Sequence, residues 1–308
     1  MHKSDEQRAN EYFQLLSLLT FVTFLGCQQP TNRTIIQQHN HSQPQQTTKD
    51  CRMTTGLLTM TDDLLIHIAS MLTAPTDLVR LQLTCPRFAD KVCGSSEMLS
   101  IPEEAARLWL EGCSEQERDW APRRGVESWL GLMHEVGVLR LPLAFGRAHA
   151  DITLSENGAV ATMGAQDRID ARAAASKVVM RSGRHFAQFT VVEGGMFFGV
   201  IRPGWDVEGE ELAPDVDGHC FYGTWTGRRE PGYNDWEGVQ TAREQGDRIG
   251  MLLDLDQGSM SVWKNGERLG VMQAEGLTGP LCWAAEVGLQ GDSARIESAA
   301  VPAATSED

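Results

Sequence analysis

The sequence predicts an α+β chain in several parts: a small helical unit and a helical connector, followed by an antiparallel β-sandwich. Three observations predict this. Apolar residues recur at helical spacing from Leu57 to about Val138. From Asp151 onward the spacing falls to two, and short β-prone runs alternate with Gly, Asp and Asn. Ahead of both lies a polar, Gln-rich stretch with almost nothing to fill a core.

The expected organisation runs in order. Residues 1–56 form a disordered head that includes a short apolar segment at 15–27. A helical unit spans 57–95, a helical connector 96–140 and the sandwich 141–302, leaving a disordered tail at 303–308. In the helical unit, Thr61 is a good N-cap, and Asp62 and Asp63 meet the positive end of the helix dipole. Leu64, Leu65, Ile68, Met71 and Leu72 then make one apolar face. Ala74-Pro75 ends that helix, and Thr76 can cap the next, in which Leu78, Leu81 and Leu83 are expected to point inward. Cys85-Pro86 breaks the chain before a third short helix around Phe88. A bundle this small with an apolar face calls for a partner. From Pro102 to Val138 further helix is expected, opened by Pro102 with Glu103 and Glu104 behind it. Its Ala105, Leu108, Trp109, Val126, Trp129, Leu130 and Met133 are packing residues with no chemistry assigned.

In the β region, the runs 152–154 and 159–163 flank Glu156-Asn157-Gly158, a hairpin signal. Strand runs follow at 185–192, 196–200, 249–255, 259–263 and 269–272. Asn265-Gly266 suits a type I′ turn, and 254–258 a second tight turn. Many short strands joined by such turns mean an all-β sandwich or barrel.

Of 308 residues, 27 are basic and 42 acidic, a net charge of −15. Residues 1–56 carry a net +1, so the acidity of −16 belongs to the remainder. That argues against nucleic acid, whose phosphates need clustered Lys and Arg, and against anionic membrane surfaces. The seven cysteines are odd in number, irregularly spaced and without a CxxC pair. They point to a reducing compartment, with no disulfide framework and no metal site. The run 15–27 is shorter than the ~18 residues of a membrane-spanning helix. Its length suits a secretory leader, but Asp5, Glu6 and Glu11 precede it where positive charge is expected. Asn32 and Asn40 would be glycosylation sites if the chain were secreted.

No P-loop, GxGxxG, GxSxG or HExxH is present. His134-Glu135 opens a zincin-like pair, but Val138 stands where the second His belongs. Residues 254–258 resemble the start of a calcium loop, but Gly258 falls one place early and no closing acid follows. Ser261-Val262-Trp263-Lys264 fits SxxK but lies in a strand. No catalytic residue, metal or cofactor is therefore assigned.

Two resemblances emerge from these residues. Met60, Asp62, Asp63, Leu64, Leu65, Ile68, Leu72, Asp77, Leu78, Leu81, Cys85, Arg87 and Phe88 fall on the pattern of the F-box. Thr61 stands in place of its usual Pro and Phe88 in place of its usual Trp. The resemblance implies docking of Met60, Leu64, Leu65, Ile68, Leu78 and Leu81 on a Skp-family adaptor of a cullin ubiquitin ligase. From Val178 to about Ala299 the chain resembles a SPRY domain, a concanavalin-like sandwich. Ser182-Gly183-Arg184-His185-Phe186, Phe198-Gly199-Val200, Gly246-Asp247-Arg248-Ile249-Gly250 and Val262-Trp263-Lys264-Asn265-Gly266 carry this second resemblance, in family order. It implies a non-catalytic module that binds a protein or peptide target with its loops. Two insertions supply candidates: Trp205 in one, and Trp225, Arg228, Arg229, Tyr233 and Trp236 in the other. Trp, Tyr and Arg in a Gly-rich loop have the composition of interface hot spots. The alternative for Trp225 and Trp236 is plugging the sandwich ends, and for Arg228 and Arg229 a solvated tip.

The expected function is the substrate-recognition subunit of a cullin-type ubiquitin ligase, in cytoplasm or nucleus. The alternatives are a SPRY interaction scaffold without a ligase, or a secreted recognition protein using the 15–27 segment.

Overall fold

The computed structural model describes residues 60–84, 86–92, 97–165 and 171–302. The expected head at 1–56, the tail at 303–308 and Cys85 lie outside the described residues. The chain forms two compact units. One holds the described residues up to Gly112 together with 128–133; the other holds 113–127 and everything from His134 on.

The first unit is built on helices α1 (Asp62–Ser70), α2 (Pro75–Thr84), α3 (Pro86–Ala89) and α4 (Ile101–Glu111). Helix α4 packs against all three others. Leu65, Ala69, Leu72, Leu78, Leu81, Phe88, Ile101, Ala105 and Leu110 are buried there. Arg87 ties the two ends of the F-box-like stretch together. Its guanidinium donates to the Met60 carbonyl at 2.5 Å and meets Asp62 at 3.1 Å. Thr61 takes the N-cap position in extended conformation without a side-chain cap bond. Helix α2 starts at Pro75 rather than being capped by Thr76, since proline is pre-set for the first helical position. Leu83 is 82% exposed, against the inward placement expected of it. It follows Leu78 by five residues, which is about 140° around the helix.

The further helix expected from 102 to 138 takes the form of three helices. Helix α4 stops at Gly112, and Ser114 opens α5 (Glu115–Trp120) with a capping box to Glu117. Pro122 and Gly125 fall in the gap before α6 (Trp129–Leu139). Glu103 accepts the amides of Trp129 at 2.7 Å and Leu130 at 3.2 Å, satisfying donors at the start of α6.

The second unit is two antiparallel sheets forming a sandwich. A six-stranded sheet runs β1 (Phe145–Ala148), β4 (Arg172–Ser176), β12 (Cys282–Val287), β6 (Met196–Ile201), β7 (Cys220–Gly223), β8 (Arg229–Glu230). A seven-stranded sheet runs β11 (Glu267–Gln273), β10 (Ser259–Lys264), β9 (Arg248–Asp254), β5 (Arg184–Glu193), β13 (Ser293–Ser298), β3 (Val160–Met163), β2 (Ile152–Ser155). The expected turns form. Asn265 and Gly266 both have positive φ in the two-residue loop joining Lys264 to Glu267, as type I′ requires. Asp254 closes the β9–β10 turn by accepting the amides of Asp256 and Gln257.

Side chains alternate along each strand. Phe189, Phe198 and Trp283 fill the space between the sheets, with Phe189 and Phe198 stacked at 4.7 Å. The outer face of the six-stranded sheet is also covered. Ala173, Ala175, Phe221, Cys282 and Ala284 there pack against Val207 and Ala213 of the β6–β7 loop. Every residue of β12 is therefore buried.

Replacing Leu78 by Ala is expected to cost the helical unit about 2–5 kcal/mol, the price of a fully buried leucine. Leu83→Ala should cost less than about 0.5 kcal/mol. Urea melting of both variants checks this; equal losses would contradict the burial assignment.

Candidate protein-recognition surfaces

The six residues expected to dock an adaptor divide in two. Leu65, Leu78 and Leu81 are core residues of the helical unit, 1%, 0% and 7% exposed, and are not offered to a partner. The inward stripe of α1 is Leu65 and Ala69, continued by buried Leu72 just past its end. The rest of the expected single apolar face lies on the flank of the helix. Leu64 is 45% exposed, Ile68 and Met60 are half-buried, and Met71 is exposed beside them. Val79 and Leu83 project from α2 one turn apart. These three exposed side chains (Met71, Val79 and Leu83) are surface candidates that the F-box pattern did not single out.

The loop candidates also divide. Trp205 is half-buried and belongs to the outer layer of the six-stranded sheet. It packs beside Val207 and Phe221, and its ring meets His219 edge-on at 5.7 Å. Its carbonyl accepts from Arg147 at 3.2 Å. Trp236 is half-buried against the main core, and its indole N–H donates to the Gly227 carbonyl at 2.7 Å. Both are plugs, which is the structural alternative raised for Trp236. Arg229 is a half-buried strand residue, its backbone paired both ways with Asn234. Arg228 is no free tip: it pairs with Asp235 at 2.8 Å and lies 4.1 Å over the Tyr233 ring.

Trp225 and Tyr233 are the large aromatic side chains left at the surface of this loop, 47% and 54% exposed. Each is stacked by an arginine; Arg243 lies 4.7 Å over the Trp225 ring and donates to its carbonyl at 3.1 Å. The indole rests on Gly195, where any Cβ would overlap it. Thr224 donates to the Met196 carbonyl and accepts the Met196 amide, both at 2.9 Å. Ala242 donates to the Thr224 carbonyl at 2.8 Å, Lys264 to that of Thr241 at 2.8 Å, and the Val271 amide to Glu237 at 2.9 Å. The loop is thus fastened at both ends, and two rigid aromatics face outward at low entropic cost.

Two features were missed by sequence reasoning. A cleft of about 290 Å³ opens among Trp120, Leu141, Met180, Phe186 and Trp283, with Arg140 and Glu117 paired at 2.7 Å in its lining. The Arg140 hydrogen bond is the main reason the Glu117 carboxyl drops to about 2. Burial lowers His185, also lining it, to about 4. The second feature is Glu286, 1% exposed on the outer face of β12. One carboxylate oxygen accepts the Ala213 amide at 2.7 Å, and the other has no hydrogen-bond partner. Burial, with the charge of Asp215 added, pushes this carboxyl up to about 7, against the opposing Ala213 amide and Arg172. An acid inside the run Cys-Trp-Ala-Ala-Glu-Val carried no signal, because a sandwich strand ordinarily turns alternate residues to water.

Among the described residues no group of three or more His, Cys, Asp or Glu is placed to hold a metal ion. None of the helices described is long and apolar enough to cross a membrane. Cys113, Cys220 and Cys282 are buried thiols, and burial pushes Cys220 up to about 12, leaving it inert.

No protein-family model matches the chain, and no curated protein sequence does. Among solved structures it is similar to the SPRY domain of human HERC1, at 19% identity over 51% of this chain and 97% of that one, TM-score 0.42. It is similar to the TRIM65 PSpry domain at 14% identity, covering 50% and 90% of the two chains, TM-score 0.40. A human SPRY domain matches at 16% identity over 48% and 94%, TM-score 0.35.

A carboxyl whose pKa rises to about 7 on folding stabilises the fold at low pH and loses that contribution as pH climbs through 7. The parent chain is expected to lose on the order of 3 kcal/mol between pH ~5 and ~8 from this group. Glu286→Gln should flatten that slope in thermal or urea melts. Parallel pH profiles for parent and variant would contradict the assignment.

Proposed function

We propose that this protein is the substrate-recognition subunit of a cullin-type ubiquitin ligase. The helical unit docks a Skp-family adaptor through Met60, Leu64 and Ile68, and the sandwich holds the target protein with the loop that carries Trp225 and Tyr233. The observation that carries this reading is the combination in one chain. An outward apolar flank on α1, within an F-box-like stretch, accompanies a SPRY-like sandwich with fastened aromatic loops. No reactive group is required. The receptor raises the local concentration of a target lysine near the charged ligase, which is proximity catalysis. Such a protein works in the cytoplasm or nucleus.

A second reading keeps the sandwich as an interaction module and gives the helices no ligase. Thr61 in place of proline favours it, as does the use of Leu65, Leu78 and Leu81 in the unit's own core. The secreted reading rests on residues 15–27, outside the described residues. It predicts a mobility shift on deglycosylation at Asn32 or Asn40.

Affinity purification separates the first two. Adaptor and cullin should be recovered with the intact chain. They should be lost from Leu64→Asp plus Ile68→Asp, with the fold checked by circular dichroism. Recovery of a target without adaptor from both would favour the scaffold.

A further inference from the structure

The cleft of about 290 Å³ lies where β5 begins and β13 ends, wholly within the second unit. Its aromatic walls are held by contacts of their own. Trp283, 2% exposed, meets Phe189 edge-on at 6.0 Å. Phe186 meets Trp263 edge-on at 5.6 Å, its ring lying where a Cβ on Gly250 would stand. Leu141, also in the lining, is 59% exposed, so the cleft opens to the surface there. Most polar groups of the lining are already engaged. Glu117 accepts from Arg140 on one oxygen and from the Ser114 amide and hydroxyl on the other. Ser298 accepts the Leu143 amide at 3.2 Å.

His185 is different. Its ring is 3% exposed and lines the cleft. Nε2 lies 2.7 Å from the Ser182 carbonyl, which can only accept, so Nε2 carries the proton. Burial keeps the imidazole neutral by lowering it to about 4. Nδ1 is therefore a bare lone pair. It has no hydrogen-bond partner among the described residues, and it is not sealed off as the partnerless Nη2 of Arg147 is. The space left to it is the cleft. An acceptor in so dry a place costs free energy until a donor reaches it.

We propose that this cleft receives a tryptophan side chain of a partner protein, its ring against Phe186 and Trp283 and its indole N–H donating to Nδ1 of His185. Size and chemistry both select it. A cavity of roughly 150 Å³ holds benzene, so about twice that space suits a bicyclic ring. Phenylalanine or leucine would bring no donor to Nδ1, whereas indole has one N–H and no acceptor to leave unpaired. Tryptophan is enriched among interface residues that fill desolvated pockets. The open rim at Leu141 admits a ring carried on a chain. The inference rests on the protein-recognition part of the function above, at a site that Trp225 and Tyr233 do not line, and not on adaptor docking.

The test uses the full chain and the peptide acetyl-Gly-Ser-Trp-Ser-Gly-amide, carrying a fluorotryptophan read by fluorine NMR. Added protein should broaden the signal saturably, with a Kd below about 1 mM. Methylating the indole nitrogen should weaken binding about tenfold or more, as should fluorophenylalanine in its place. Leu141→Asp, at the exposed rim, should weaken binding about tenfold while melting like the parent. His185→Phe keeps a ring but removes the acceptor, so the preference for the unmethylated indole should fall to less than about twofold. If that buried variant fails to fold, the methylated peptide and Leu141→Asp still decide. No saturable binding, equal binding of both indoles by the parent, or binding indifferent to Leu141→Asp would overturn the proposal. So would binding of free fluoroindole without binding of the peptide, which would make the cleft a small-molecule site. Loss of adaptor recovery with Leu64→Asp plus Ile68→Asp leaves these results unchanged, so the two readings fail separately.

Discussion

The constraint on which the sandwich unit depends is that the middle of its six-stranded sheet is covered on both faces. Strand β12 is buried on both sides, by Phe189 and its neighbours within the sandwich and by the β6–β7 loop outside. Covering a sheet with a loop demands small residues on the covered face and a partner for each buried polar group. Ala173, Ala175, Cys282 and Ala284 meet the first demand. For the second, His219 and Glu286 bond the Ala213 carbonyl and amide, and one Glu286 oxygen alone is left without a hydrogen-bond partner at this loop.

That third layer determines what the protein can offer a partner. It draws Trp205 inward and turns the acidic residues of the same loop outward, so the loop presents charge where its sequence suggested an aromatic contact. At the following loop the division is different. Trp236 is spent on the core, while Trp225 and Tyr233 remain outside, each under an arginine. Exposed cation–π pairs of this kind are worth about 0.5–1 kcal/mol each. They hold the rings in place before any partner arrives. The helical unit makes a similar allocation: Leu65, Leu72, Leu78, Leu81 and Phe88 of its F-box-like pattern build its own core, while Leu64 is exposed and Met60 and Ile68 are half-buried.

Much of the fold was legible because its signals are local. Asn265-Gly266 needs positive φ at both residues, and the alternation through β5 and β9 states which face is buried. The helix starts at Asp62 and Ile101 announced themselves through Thr61, Pro102 and the acids behind them. Strands β4 and β12 were not legible. Their runs Arg-Ala-Ala-Ala-Ser and Cys-Trp-Ala-Ala-Glu-Val hold a single β-branched residue, Val287, because small side chains are needed under a covering loop, and that cover is a long-range fact. The candidate surfaces were harder still. Composition identified the loops that carry aromatics, but exposure is decided by tertiary packing, so Trp225 and Trp236 in one loop take opposite roles. Leu83 was misread because its neighbours were counted by hydrophobicity rather than by angle around the helix.

Amide hydrogen exchange at Ala213, Val216 and His219 tests the three-layer account most directly. If the β6–β7 loop is part of the packed structure, these amides are protected to an extent close to that of β12, and they open with it. Exchange at rates near those of an unstructured peptide, with β12 still protected, would contradict the account. The acidic residues would then ride on a loose loop instead of a built surface.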